Sequence, residues 1–185
     1  MSDGPRLTRR RGDLLALLFG AAMLAFASAR AILVPITHDE AFTFLHWSTA
    51  SWRAILTFEG PERANNHLLN TILMKVSAAL LGPGEAALRL PNVLALASYL
   101  ASLWLLLRRR APPVLALSGF VLASANRHLL ELFSLARGYG LCLGFLLPGL
   151  LFAAHSIEET GGSRRNEWRS LGLVSLAVQF GKGIV

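Results

Sequence analysis

Apolar runs of membrane-spanning length, closed off by arginine clusters, constrain this chain more than any other feature. Leu14 to Val34 is the first, about 21 residues interrupted only by Arg30 among charged side chains. At 1.5 Å per helical residue it covers roughly 30 Å, the hydrocarbon thickness of a bilayer. Ala86 to Leu107, Val114 to about Ala125 or Leu129, and Tyr139 to His155 are further runs, and Leu171 to Val185 begins another. A 185-residue chain that is 54% hydrophobic carries too much apolar surface for an ordinary soluble domain of its size. The expected fold is therefore all-α, a polytopic transmembrane helical bundle.

Basic residues set the expected orientation. Arg6, Arg9, Arg10 and Arg11 lie in the tail 1–13, Arg108 to Arg110 follow the second run, and Arg164, Arg165 and Arg169 follow the fourth. Ten of the 18 Lys and Arg residues thus fall in three segments that alternate correctly as cytoplasmic under the positive-inside rule. The net charge of +7 is accounted for by membrane orientation, so nucleic acid is not an expected partner. The N-terminus is placed in the cytoplasm, and the membrane domain occupies 14–185 with spans at about 14–34, 86–107, 114–129 and 139–155. Pro148 is a candidate kink in the last of these. Phe26 to Arg30 only loosely resembles a signal cleavage site, so the first run is read as a retained span. Arg30, one turn from its outer end, is placed to snorkel to the interface. The stop at Gly181 to Val185, inside an apolar run, is expected of a chain whose further spans follow. Cys142 is the single cysteine, which excludes an intrachain disulfide and a cysteine zinc cluster.

Residues 36–85 form the expected outer loop. Asp39 to Trp52 reads as an amphipathic helix with Phe42, Leu45 and Trp52 on one side, and Phe58 to Asn66 reads as a loop by its Gly, Pro and Asn content. Leu68 to Leu81 is apolar but only about 14 residues long, with Lys75 in its middle. If it crossed, the next span would carry Arg108 to Arg110 to the outer side. It is therefore read as an interfacial or re-entrant helix, N-capped by Asn66 and stopped by Gly82-Pro83-Gly84.

Chemistry concentrates where the first span ends. Thr37-His38-Asp39-Glu40 has the form of a capping box, with Glu40 turned back on Thr37. Asp39, in the first turn, is left to act either as a helix-start charge or as a base for a substrate hydroxyl. His38, His46, His67, Arg89, Arg127, His128, Glu131 and Arg137 are expected on the same outer side. Ionisable residues at the mouths of membrane helices are functional candidates by default. His38, Asp39, His46, His67, His128 and Glu131 offer mixed nitrogen and oxygen donors for a divalent metal ion, but no two have His-x-x-x-His spacing.

Four motifs carry a resemblance: Asp39-Glu40-Ala41 after the first span, Asn65-Asn66-His67-Leu68-Leu69-Asn70-Thr71, Leu88-Arg89-Leu90-Pro91-Asn92-Val93-Leu94, and Ala136-Arg137-Gly138-Tyr139. In their order and spacing, over roughly 13–169, the chain resembles the N-terminal part of the C-type (GT-C) membrane glycosyltransferases, which include protein O-mannosyltransferases and the aminoarabinose transferases of lipid A. The resemblance implies a bacterial plasma-membrane enzyme. Such an enzyme transfers a sugar, with inversion, from a polyprenyl-phosphate donor to a hydroxyl acceptor on a glycan, lipid or protein outside the membrane. It implies Asp39 as base, Glu40 as cap or helper and Glu131 as a second acid. His67, Arg89, Arg137 and Tyr139 become substrate-binding candidates. Arg137, Arg127, Arg89 or a divalent metal supplies positive charge for the leaving phosphate. His67 is followed by Leu68-Leu69 where relatives often have prolines, which leaves the acceptor subclass open. Known relatives are longer, so the residues given are expected to be inactive alone. An inactive paralogue and a transporter-like membrane protein are the alternatives. Charge gathered at one mouth, with little inside the spans, disfavours transport.

Overall fold

The computed structural model describes residues 4–59, 66–158, 169 and 171–175. Among them the protein is an all-α helical bundle with no strand. Its elements are α1 (Gly4–Leu33), α2 (His38–Phe42) running into a π-helical turn (Thr43–Ser48), α3 (Trp52–Thr57), α4 (Leu68–Leu81), α5 (Glu85–Arg110), α6 (Pro113–Ser124), α7 (Arg127–Ser134) and α8 (Tyr139–Glu158). Three stretches are long and apolar enough to cross a membrane: Arg9–Leu33 in α1, all of α5, and Tyr139–Ile157 in α8. Leu17, Leu33, Leu94 and Leu122 turn outward, as lipid-facing side chains do.

Cross-links fix the helix directions. Asp13 near the start of α1 pairs with Arg108 at the end of α5 (3.2 Å), whereas the carbonyls of Ala31 and Val34 meet Arg89 near the start of α5. These two helices are antiparallel. α6 runs with α1, since Gly12 faces Pro113 and Gly20 faces Phe120. α8 runs with α5: Ser98 Oγ donates to the Gly144 carbonyl (3.0 Å), and Arg109 and Arg110 border Ala154 and His155. The bundle thus has an arginine end and an opposite end that carries Asp39 and Glu40. Between them Leu96, Leu100, Phe120, Phe133 and Leu141 form the core.

Small residues let α8 lie flush on α5. A Cβ on Gly144 would sit 2.6 Å from Ala95 Cβ and 2.8 Å from its carbonyl oxygen. Close backbone approach through small residues is how helices associate where lipid offers no hydrophobic drive. Gly144→Val is therefore expected to destabilise the protein by roughly 2–3 kcal/mol through overpacking. Gly172→Ala, within the helical stretch 171–175 and where a Cβ meets nothing within 4 Å, serves as the control that is not destabilised. Melting in detergent checks the pair, and equal melting of both variants would reject the packing argument.

Several expected boundaries move. The run 114–129 is not one helix: α6 stops at Ser124, and Asn126 Oδ1 accepts the N–H groups of His128 and Leu129 (2.9 and 3.4 Å) to start α7. Asn126 satisfies the orphan donors of a new helix, so the run breaks at its polar Asn126-Arg127-His128 cluster, next to the earlier of its two expected ends. Asp39 to Trp52 also divides. Ser51 Oγ accepts the Ala54 N–H (3.2 Å) and opens α3, so Trp52 lies on a separate helix from Phe42 and Leu45. Asn66 does not cap α4. Its side chain is buried and donates to the Ile55 carbonyl (3.0 Å), and His67 takes the capping position. Gly82 ends α4 as expected, with a φ of 89° that disfavours other residues. Of the loop 58–66, positions 60–65 lie outside the described residues, as does most of the partial span 171–185 beyond its helical start at 171–175.

α4 stays at one end of the bundle. Asn70 Oδ1 accepts from Asn92 Nδ2 (3.2 Å) and Ser77 Oγ donates to the Ala87 carbonyl, so its polar ties reach only the first two turns of α5. Lys75 bends away from the core. Its Nζ donates to the carbonyls of Ser48 (2.8 Å) and Ala50 (2.6 Å) and lies 5.1 Å from the Trp52 ring centre. The lysine thus closes the carbonyl end of the π-helical turn.

Candidate functional site

The site is built on a buried ion pair that joins three parts of the chain. Arg89 and Glu40 are each 1% exposed. Arg89 Nε donates to Glu40 Oε1 and Nη2 to Oε2, both at 2.8 Å, the bidentate geometry of a guanidinium on a carboxylate. Nη1 donates to the carbonyls of Ala31 (3.1 Å) and Val34 (2.6 Å), and Nη2 to that of Pro35 (3.1 Å). Those carbonyls lie at and just beyond the end of α1, where a helix leaves acceptors unpaired. All five guanidinium N–H groups are engaged.

Glu40 is equally committed. Its Oε2 accepts from the Thr37 N–H and hydroxyl (2.9 Å each), so the carboxylate turns back as the capping box requires. Its Oε1 accepts the Ala136 N–H at 2.6 Å. Burial alone would raise the carboxyl pKa. The Arg89 hydrogen bonds, the N–H groups of Ala136 and Thr37, and the Arg89 charge outweigh it and hold Glu40 below the usual carboxylate range. With every lone pair taken, Glu40 acts as cap and anchor, and Arg89 holds the fold rather than an open binding surface.

The next residue on each strand of this knot faces the open side. Asp39 Oδ2 lies 3.1 Å from Arg137 Nη2, and Asp39 remains half exposed. Glu40 to Ala136 and Asp39 to Arg137 thus form consecutive rungs. The Ala136 carbonyl accepts from Asn70 Nδ2 (2.9 Å), and the Tyr139 ring meets the His67 ring edge-on at 5.3 Å. Residues 136–139 therefore gather α2, α4 and α8 around one point. Arg137 Nε is buried without a hydrogen-bond partner among the described residues.

Glu131 belongs to a neighbouring cluster. Arg30 Nη2 lies 3.4 Å from its Oε1, and His128 Nδ1 lies 3.9 Å from its Oε2. Both are partners of Glu131; neither joins it to Asp39. Arg127 is exposed, and exposed His46 stacks on Phe42 at 4.2 Å with its Nδ1 3.2 Å from the Phe42 carbonyl. His38 Nδ1 is 3.7 Å from Asp39 Oδ1. Among the described residues no three His, Cys, Asp or Glu side chains gather as a set for a metal ion. Asn70 and Asn92 stand in the quoted motifs, but no role was assigned to either. An asparagine directly after Pro91 inside an apolar span was the available signal, since a buried amide needs a partner.

No protein-family model, curated protein or solved structure matches the chain.

Proposed function

We propose that the protein is a membrane glycosyltransferase that moves a sugar from a polyprenyl-phosphate donor to a hydroxyl acceptor. The observation that carries this reading is the half-exposed Asp39–Arg137 pair, held over the buried Glu40–Arg89 pair at one end of the bundle. The two groups have the complementary tasks of the reaction. The acceptor oxygen attacks the anomeric carbon, its proton passes to the Asp39 carboxylate, and the bond from that carbon to the phosphate oxygen breaks. The departing phosphate takes its negative charge to Arg137, whose planar guanidinium suits phosphate oxygens. An apolar groove of about 420 Å³ between α4, α5 and α8, bordered by Leu73, Leu94, Leu141 and Phe145, suits the prenyl tail.

One observation favours a non-catalytic reading: Asp39 and Arg137 neutralise each other, as in a latch between loop and helix. Transfer separates the readings. Membranes carrying the full-length protein are expected to move labelled sugar from a polyprenyl-phosphate donor to a hydroxyl acceptor. A wild-type protein that leaves every donor of a panel differing in sugar and chain length untouched would reject the enzyme in favour of the latch. In the same membranes, Glu59→Cys and Arg109→Cys are expected to react with an impermeant thiol reagent from opposite faces. Labelling of both from one face would break the topology on which the reading depends.

A further inference from the structure

The arginine end of the bundle holds a second feature, independent of the glycosyltransferase reading. Between α1 and α5 runs a groove of about 570 Å³, a volume typical of ligand pockets. Its walls are apolar: Leu17, Gly20 and Leu24 on one side, Ala97, Ala101 and Trp104 on the other. Charge enters its lining only through Asp13 and Arg108, both at one end. From Asp13 to Leu24 the groove follows twelve residues of α1, a rise of about 16 Å. That is close to half the roughly 30 Å hydrocarbon thickness, the depth of a single leaflet. A missing transmembrane helix would need a groove through the whole thickness. An acyl chain needs one leaflet.

The polar end states which headgroup fits. Arg9, Arg10 and Arg11 at the start of α1 and Arg108, Arg109 and Arg110 at the end of α5 are exposed there. Arg9 and Arg108 border one crevice beside Gly12 and Pro113. Asp13 sits between them with both oxygens engaged: Oδ1 accepts from Trp104 Nε1 (3.0 Å) and Oδ2 lies 3.2 Å from Arg108 Nη2. Asp13 fixes Arg108 and Trp104 at the mouth, while Arg108 stays 41% exposed. Basic pockets between membrane helices attract anionic headgroups, and guanidinium groups grip phosphate by two parallel hydrogen bonds. Trp104 at this level matches the indoles found at lipid headgroup depth.

We infer that this groove binds an anionic phospholipid, with its phosphate on Arg108 and Arg9 and an acyl chain between α1 and α5. The full-length protein in neutral detergent, titrated with phosphatidylglycerol or phosphatidylcholine of equal chains, tests this by retained lipid in native mass spectrometry. Two arginines at the headgroup correspond to a preference of roughly tenfold or more for phosphatidylglycerol. Arg9→Gln/Arg108→Gln is expected to remove the preference. Ala101→Trp, which fills the groove, is expected to lower retention of both lipids at least fivefold, on the order of 1 kcal/mol by the usual conversion. Equal retention of the two lipids by wild type overturns the proposal, whatever the variants do. Unchanged phosphatidylglycerol retention in Ala101→Trp also overturns it. Stabilisation of wild type by inorganic phosphate alone, equal to that by phosphatidylglycerol, would make this a free-anion site and overturn the lipid assignment.

Discussion

Arg89→Leu is expected to leave most of the protein unfolded after extraction into detergent. The change strips a buried carboxylate of its partner, which typically costs about 3–5 kcal/mol. It also removes the donors to the carbonyls of Ala31, Val34 and Pro35, of which the buried Ala31 acceptor left alone adds about 1–3 kcal/mol. Against a total stability of about 5–15 kcal/mol, that loss is decisive. Monodispersity on a sizing column and helix melting read the result. The double variant Glu40→Leu/Arg89→Leu is expected to recover part of the loss, because it removes the stranded charge and leaves only the orphaned backbone groups. Wild-type melting in Arg89→Leu would show that the pair does not hold the fold.

The pair also predicts an acid limb. Glu40 titrates below its ordinary value of about 4.5 in the folded protein. A depressed carboxyl contributes its stability in full above the unfolded value and loses it as pH falls through the folded one. Melting is thus expected to be insensitive to Glu40 down to about pH 5 and to decline below its ordinary value. In Glu40→Gln the share of that decline due to this residue disappears, on a lower baseline.

Asp39→Asn should do the opposite of Arg89→Leu: remove activity and spare the fold. Loss of a general base lowers turnover by about 10²–10⁴-fold. The ion pair it breaks is half exposed, and such pairs contribute only about 0.2–1 kcal/mol. Sugar transfer measured beside melting, in one membrane preparation, separates the two effects. Transfer at the wild-type rate in Asp39→Asn would remove Asp39 from the chemistry. The two adjacent acids thus make a matched comparison, with one residue serving the fold and the other facing out.

How much of this was legible follows from what one-dimensional spacing encodes. The capping box placed Glu40 on Thr37 because that contact spans three residues. Gly82 marked a helix end for an equally local reason. The direction of the apolar runs put the Asp39 segment and the turn at Arg137 on one side, but not their contact, which depends on packing. Arg89 was harder. Sequence put it near the outer mouth and offered it as a phosphate ligand, but its role depends on helical phase. Only the rotation of α5 against α1 decides whether the guanidinium meets the end of α1 or the open side. Asn70 and Asn92 meet between helices 22 positions apart, a contact that no local rule announces. The polar Asn126-Arg127-His128 marked the end of the run, but not that Asn126 starts a separate helix there.

The short α6 has a consequence for the lipid around it. Twelve residues reach only about 18 Å, while α1 and α5 are long enough for the full hydrocarbon depth. Tails seated beside α6 meet a wall about 12 Å lower than its neighbours, and a bilayer answers such a shortfall by thinning locally. The membrane would dimple on that flank, so that headgroups and water descend toward α7 and Arg30. A polar acceptor could then approach from the side without being lifted clear of the surface.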